Sequence, residues 1–104
     1  MLRTVLEMRV REGCEGEFRA TWLETARAAA LLPGCAGQTL LRDPDDPHTH
    51  LIMADWADRA SLEAFRRSPQ RAELSARLET FRAFAHQRVL ETVAHLPAQP
   101  TEER

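Results

Sequence analysis

The chain has 104 residues, 43% of them hydrophobic, which suits one domain with a modest core. Its 14 basic and 16 acidic residues leave a formal net charge of −2 and a pI near 6.1. No field for phosphate backbones or anionic bilayers results, so neither nucleic acid nor membrane is expected as a partner. All the basic residues are arginine, and lysine, asparagine and tyrosine are absent, which removes Schiff-base lysine and tyrosine acid or radical chemistry.

From Arg3 to Arg11, Leu6, Met8 and Val10 alternate with Arg9 and Arg11, the period of a half-buried strand. Neither a leader nor a membrane-length apolar run is visible, and a cytoplasmic protein is expected. Gly13 and Gly16 mark a turn. Phe18, Trp22, Ala26 and Ala29 then recur at helical spacing and predict a helix from about Glu17 to Leu31, stopped by Pro33 and Gly34. Cys35 to Arg42 and Leu51 to Trp56 read as a hairpin across the acidic, proline-rich turn at 43–47.

Asp58 is placed to cap a short helix carrying Leu62 and Phe65, and Ser68-Pro69 supplies an N-cap and an N1 proline that restart it. Leu74, Leu78, Phe81 and Ala85 continue at helical spacing, which puts His86 at the end of a long helix. Arg88 to Leu96 reads as a last strand with Val89 and Val93 on one face and Leu90, Ala94 and Leu96 on the other. Residues 97–104 lack apolar periodicity and are expected to be a disordered tail beyond a single domain, 1–96. Cys14 and Cys35 form neither a zinc motif nor a disulfide framework.

The order β-α-β-β-α-β is that of a split βαβ, an α+β fold of ferredoxin-like topology with an antiparallel four-stranded sheet and two helices on one face. The opposite face then needs a cover. Val5, Val89 and Val93 are expected there, and a second copy of the chain would bury them in a two-fold homodimer.

Leu32-Pro33-Gly34-Cys35-Ala36-Gly37, the Asp-Pro turn, Ala54-Asp55-Trp56, and Leu62, Phe65, Ser68 and Pro69 at their spacing together resemble the antibiotic biosynthesis monooxygenase family. The resemblance spans nearly the whole chain apart from the tail and implies a dimeric α+β barrel. Some members oxidise anthrone-like aromatic polyketides to quinones with molecular oxygen and no metal, flavin or haem. The resemblance therefore implies a cofactor-independent oxygenase tailoring an aromatic polyketide in antibiotic or pigment biosynthesis. Such members assign roles to an asparagine, a corner tryptophan, a tyrosine and an arginine. Trp56 matches the tryptophan; the asparagine and tyrosine have no counterpart, and Ile52 stands four residues before Trp56. Haem degradation does not fit, because no histidine lies between Ala57 and Ala85.

His50 and Trp56 are six apart on one strand and share a face with Ile52 and Ala54. One reading is a pocket with Trp56 as wall and indole donor and His50 as proton acceptor; the other makes Trp56 plain core and His50 a solvated turn residue. Arg88 is a candidate oxyanion partner, and His86 either enters the pocket or faces a helix C-terminus. Phe18, Trp22, Ile52, Phe65 and Phe81 are candidate walls for an aromatic substrate. His48 and His50 have metal-like spacing but lack further ligands, and no metal is expected. The arginines 66, 67, 71, 77 and 82 read as a solvated helix face. A polyketide cyclase, or a dimeric small-molecule-binding protein without catalysis, would suit the same fold.

Overall fold

The structure, a computed structural model, describes residues 1–99. The elements run β1 (Leu2–Val10), α1 (Glu15–Ala29), β2 (Cys35–Arg42), β3 (Thr49–Trp56), α2 (Arg59–Arg66), α3 (Pro69–Glu79) and β4 (Arg82–Glu91). The strands form one antiparallel sheet in the order β2-β3-β1-β4, with the helices on one face, as the ferredoxin-like reading requires. Residues 100–104, most of the expected tail, lie outside the described residues.

Local chemistry sets the helix starts. Asp58 Oδ1 accepts the Ser61 N–H at 2.8 Å to open α2, and Ser68 Oγ accepts the Arg71 N–H at 3.1 Å to open α3, whose first residue is Pro69. Each of these short helices is pinned by a fully buried leucine, Leu62 and Leu78. Burying such a side chain contributes roughly 1.5–3 kcal/mol. Leu78 joins Met8, Val10, Phe18 and Ile52 in one cluster; Leu62 joins Leu2, Ala54 and Trp56 in another. Residues 2, 4, 6, 8 and 10 of β1 stand opposite even-numbered residues of β3 or extend their row, so one face of the sheet meets the helices throughout.

Strand β2 is regular only in part. Cys35 stands opposite Trp56 and Gly37 opposite Asp55, so Ala36 is an extra residue, a β-bulge. Gly37 takes φ +151°, a conformation open to glycine and costly for other residues. Beyond the bulge, Gln38 and Leu40 face the helices.

The last third of the chain corrects the sequence reading. Helix α3 ends at Glu79, so Phe81 and Ala85 are not helical, and the final strand is Arg82–Glu91 instead of 88–96. The backbone of β4 pairs with β1 from Leu2 to Val10, and Phe81 accepts the Arg11 N–H, bonds that a count of i, i+4 spacing does not register. His86 therefore lies on a strand, opposite Glu7, and not at a helix end. Val89 stands opposite Thr4 and packs against the Leu2–Trp56 cluster, so it faces the helices; Leu90 takes the open face. Val93 lies beyond the strand and is 90% exposed. Helix α1 also begins earlier than expected, taking in Gly16, and ends at Ala29.

Candidate functional site

A small cavity of about 40 Å³ lies between the sheet and the helices. Leu6, Ile52 and Leu74 give it aliphatic walls, and Trp22 and Phe65 give it aromatic ones. Four polar side chains face it: Thr4 from β1, Gln38 from β2, Gln87 from β4 and Arg71 from α3. Thr4 Oγ1 reaches the Ala54 carbonyl at 3.5 Å, and Gln38 Nε2 donates to the Ala26 carbonyl of α1 at 2.8 Å.

Arg71 is the charged group of this set. Burial first, then the neighbouring guanidinium groups of Arg66 and Arg82, push its pKa below the ordinary arginine value. It remains a cation at neutral pH. Among the described residues no carboxylate pairs with it, whereas Arg3, Arg9, Arg66 and Arg77 all have acidic partners. Its position comes from Ser68, whose Oγ accepts the Arg71 N–H and donates to the Phe65 carbonyl at 2.6 Å. One hydroxyl thus ties together the helix ends that bring Phe65 and Arg71 to the cavity.

Trp56 lies behind this wall, 1% exposed. Its ring stacks on Phe65 with centroids 4.7 Å apart, and its Nε1 is buried without a hydrogen-bond partner among the described residues. His50 shares the helix-facing side of β3 with Trp56, yet six residues of strand separate them by about 20 Å. It is 3% exposed, meets Phe18 edge-on at 5.3 Å between centroids, and lies outside the cavity lining. It is not the solvated turn residue of the second reading. Desolvation is the main cause that lowers its pKa, with Arg42 and Arg19 acting in the same direction and the His48 backbone and Glu15 against it.

Of the proposed walls, Trp22, Ile52 and Phe65 line the cavity, while Phe18 is fully buried core and Phe81 packs on the Met8–Val10 cluster. His86 and Arg88 stand opposite Glu7 and Val5, on the sheet face away from the cavity. His48 bridges the Val10 carbonyl at 3.2 Å and Glu15 at 3.6 Å, fastening the end of β1 to the start of α1. Among the described residues no group of three or more His, Cys, Asp or Glu side chains gathers to hold a metal ion.

The sequence profile of the family described as antibiotic biosynthesis monooxygenase matches residues 1–87. The chain belongs to the antibiotic biosynthesis monooxygenase family. No curated protein sequence matches it. Two crystal structures of SnoaB, a cofactor-independent oxygenase from Streptomyces nogalater, superpose with TM-scores of 0.85 and 0.83 at 23% identity, covering 93% of this chain and 97% of SnoaB. A conserved protein from Methanosarcina mazei gives 0.80 at 18% identity over 86% of this chain and 89% of its own. Rv0793 from Mycobacterium tuberculosis gives 0.81 at 15% identity over 92% and 98%. At these identities the likeness establishes the fold.

Within this antibiotic biosynthesis monooxygenase fold, sequence reasoning missed Thr4, Gln38, Arg71 and Gln87. Thr4 carried a readable signal, a hydroxyl in the apolar row of Leu2, Leu6 and Met8. Gln38 needed the bulge and Gln87 needed the true span of β4. Arg71 is the third residue of α3, close to the Ser68 cap, and its sequence neighbours Arg66 and Arg67 concealed it in a charge run.

Proposed function

We propose that this protein is a cofactor-independent oxygenase that converts an anthrone-type aromatic polyketide into a quinone. The observation that carries the reading is Arg71, a partly desolvated cation without a carboxylate partner among the described residues, facing a cavity it shares with two carboxamides. An anthrone that loses a proton from its central CH₂ spreads the charge onto its carbonyl oxygen. Arg71, with Gln38 and Gln87 as neutral donors, would stabilise that oxyanion in surroundings where charge interactions are stronger than in water. The carbanion then reduces dioxygen, the peroxide forms at the same carbon, and loss of water leaves the quinone; one O₂ gives one carbonyl oxygen and one water. Trp56, behind the wall, supports the site through the Phe65 ring on which it stacks.

The described residues facing the cavity offer no carboxylate or imidazole. An oxyanion site without an adjacent base suits an acidic substrate whose proton passes to water, and suits an aldol cyclisation less, since that needs a positioned base and acid. Oxygen uptake with 1,8-dihydroxyanthrone in metal-chelated buffer tests the reading. Uptake above the uncatalysed rate supports it, and uptake no faster than the uncatalysed rate would overturn it.

The proposal includes a homodimer. The open face of the sheet presents Val5, Leu41, Leu51, Met53 and Leu90, with Leu41 and Leu90 more than 40% exposed. This apolar cluster, bordered by Arg3, Glu7 and Arg88, favours burial against a second copy. No helix among the described residues is long and apolar enough to cross a membrane. A cytoplasmic setting is part of the same reading, supported by the free thiols of Cys14 and Cys35.

A further inference from the structure

The cavity that holds Arg71 is too small for the substrate proposed above. At about 40 Å³ it has room for roughly one water, whereas a cavity known to take a single benzene ring measures about 150 Å³. A polycyclic ligand must therefore occupy space beyond it. Outside the same wall, between α1 and β2, lies an open groove of about 410 Å³, within the usual range for small-molecule sites. Its floor is apolar, formed by Ala26, Ala30, Cys35 and Ala36, with Arg27 beside them. Trp22 and Gln38 line both spaces. They are the partition.

We propose that this groove binds the body of a flat aromatic ligand and that Gln38 is a latch which, turned aside, joins the groove to the inner cavity so that the ligand's reacting edge reaches Arg71. The inference rests on the oxygenase reading for the identity of the ligand. Gln38 is held across the seam by a single side-chain hydrogen bond, from Nε2 to the Ala26 carbonyl at 2.8 Å. The Ala26 carbonyl also accepts the Ala30 N–H at 2.9 Å, so it keeps a partner when Gln38 turns away and the bond is lost at little cost. The route beside α2 is less open to movement. A second groove of about 290 Å³ beside α2 meets the cavity only at Phe65, and that ring is stacked on the buried Trp56. Opening there breaks an aromatic pair in the core; opening at Gln38 rotates a half-buried side chain on an edge strand.

The chain has two tryptophans, one in the partition and one behind Phe65, so binding can be read by emission. The probe is 1,8-dihydroxyanthraquinone, which resembles the product and does not turn over. Stopped-flow mixing with the intact protein is expected to quench emission saturably, and Trp56→Phe, which leaves Trp22 as sole reporter, is expected to retain the quench. Gln38→Leu removes the latch bond and should raise the association rate roughly five- to tenfold. Gln38→Glu, whose carboxylate cannot donate to Ala26, should behave alike. Ala30→Phe fills the outer groove and should slow association at least tenfold, while Ala60→Phe, in the groove beside α2, should leave it unchanged. Unaltered rates in both Gln38 variants, slowing by Ala60→Phe in place of Ala30→Phe, or no saturable quench in the wild type would each overturn the proposal. Oxygen uptake is scored separately, so a working latch without oxygen consumption would sink the oxygenase reading and leave the entrance standing.

Discussion

The Trp56 indole lies over the Phe65 ring with planes 27° from parallel, and its N–H points to no acceptor among the described residues. A buried donor left unsatisfied costs roughly 1–3 kcal/mol. Trp56→Phe removes the penalty along with part of the ring, so the two effects oppose. The variant is expected within about 1 kcal/mol of wild type by urea denaturation, whereas Trp56→Ala should lose about 3–5 kcal/mol. Oxygen uptake should fall in both. A Trp56→Phe protein as unstable as Trp56→Ala would mean that the N–H is satisfied in solution.

Arg71→Gln separates catalysis from folding. Removing an oxyanion partner typically lowers turnover about 10²–10³-fold. Stability should hold or rise, because Arg71 has no acidic partner among the described residues and is repelled by Arg66 and Arg82. Arg71→Lys keeps the charge without the planar fork and should fall between. A drop in the urea midpoint with unchanged oxygen uptake would make Arg71 structural.

His50 sets a pH dependence. Its folded pKa is depressed, chiefly by desolvation. Between that value and the unfolded pKa of about 6.5, the unfolded chain binds the extra proton, so stability declines as pH falls below about 6.5. Asp55 acts in a lower window. Its hydrogen bond from Arg3 at 2.8 Å lowers its pKa, giving stability that is present above the unfolded carboxylate value of about 3.9 and lost as pH falls through the folded one. Urea midpoints at pH 8, 6 and 5 should decline in the wild type and flatten in His50→Gln. Equal slopes would assign the effect to another group.

Met53 stands between Val5 and Thr39 on the open face. Met53→Glu should turn the proposed dimer into a monomer, because an unpaired carboxylate would have to be buried. Multi-angle light scattering at micromolar concentration reads this directly. A monomeric wild type would remove the dimer altogether.

Where signals are local, the sequence is legible. Asp58 and Ser68 cap the helices they were expected to cap, and β2 occupies the predicted span, because cap and turn chemistry acts within three residues. The end of α3 was not, since helical spacing runs on from Leu78 through Phe81 and Ala85. What ends the helix is the backbone of β1, some 70 residues earlier in the chain, waiting for a partner. The cavity's polar set inherits that difficulty: Gln87 belongs to the misplaced strand, and Arg71 acquires meaning only when Gln38 and Thr4 are seen opposite it.

Gly37 has open space where a side chain would go, and no neighbour forbids one. Its φ of +151° does. A branched residue there would push β2 toward an ordinary ladder, and with Cys35 still opposite Trp56 the count would then set Gln38 against Met53 and Thr39 against Ile52. Latch and hydroxyl would trade sides of the sheet. A residue that never touches the inner cavity thus decides its inventory, and among relatives sharing these strands, one step of slippage at this corner would exchange a carboxamide for a hydroxyl without altering a residue in the cavity wall itself.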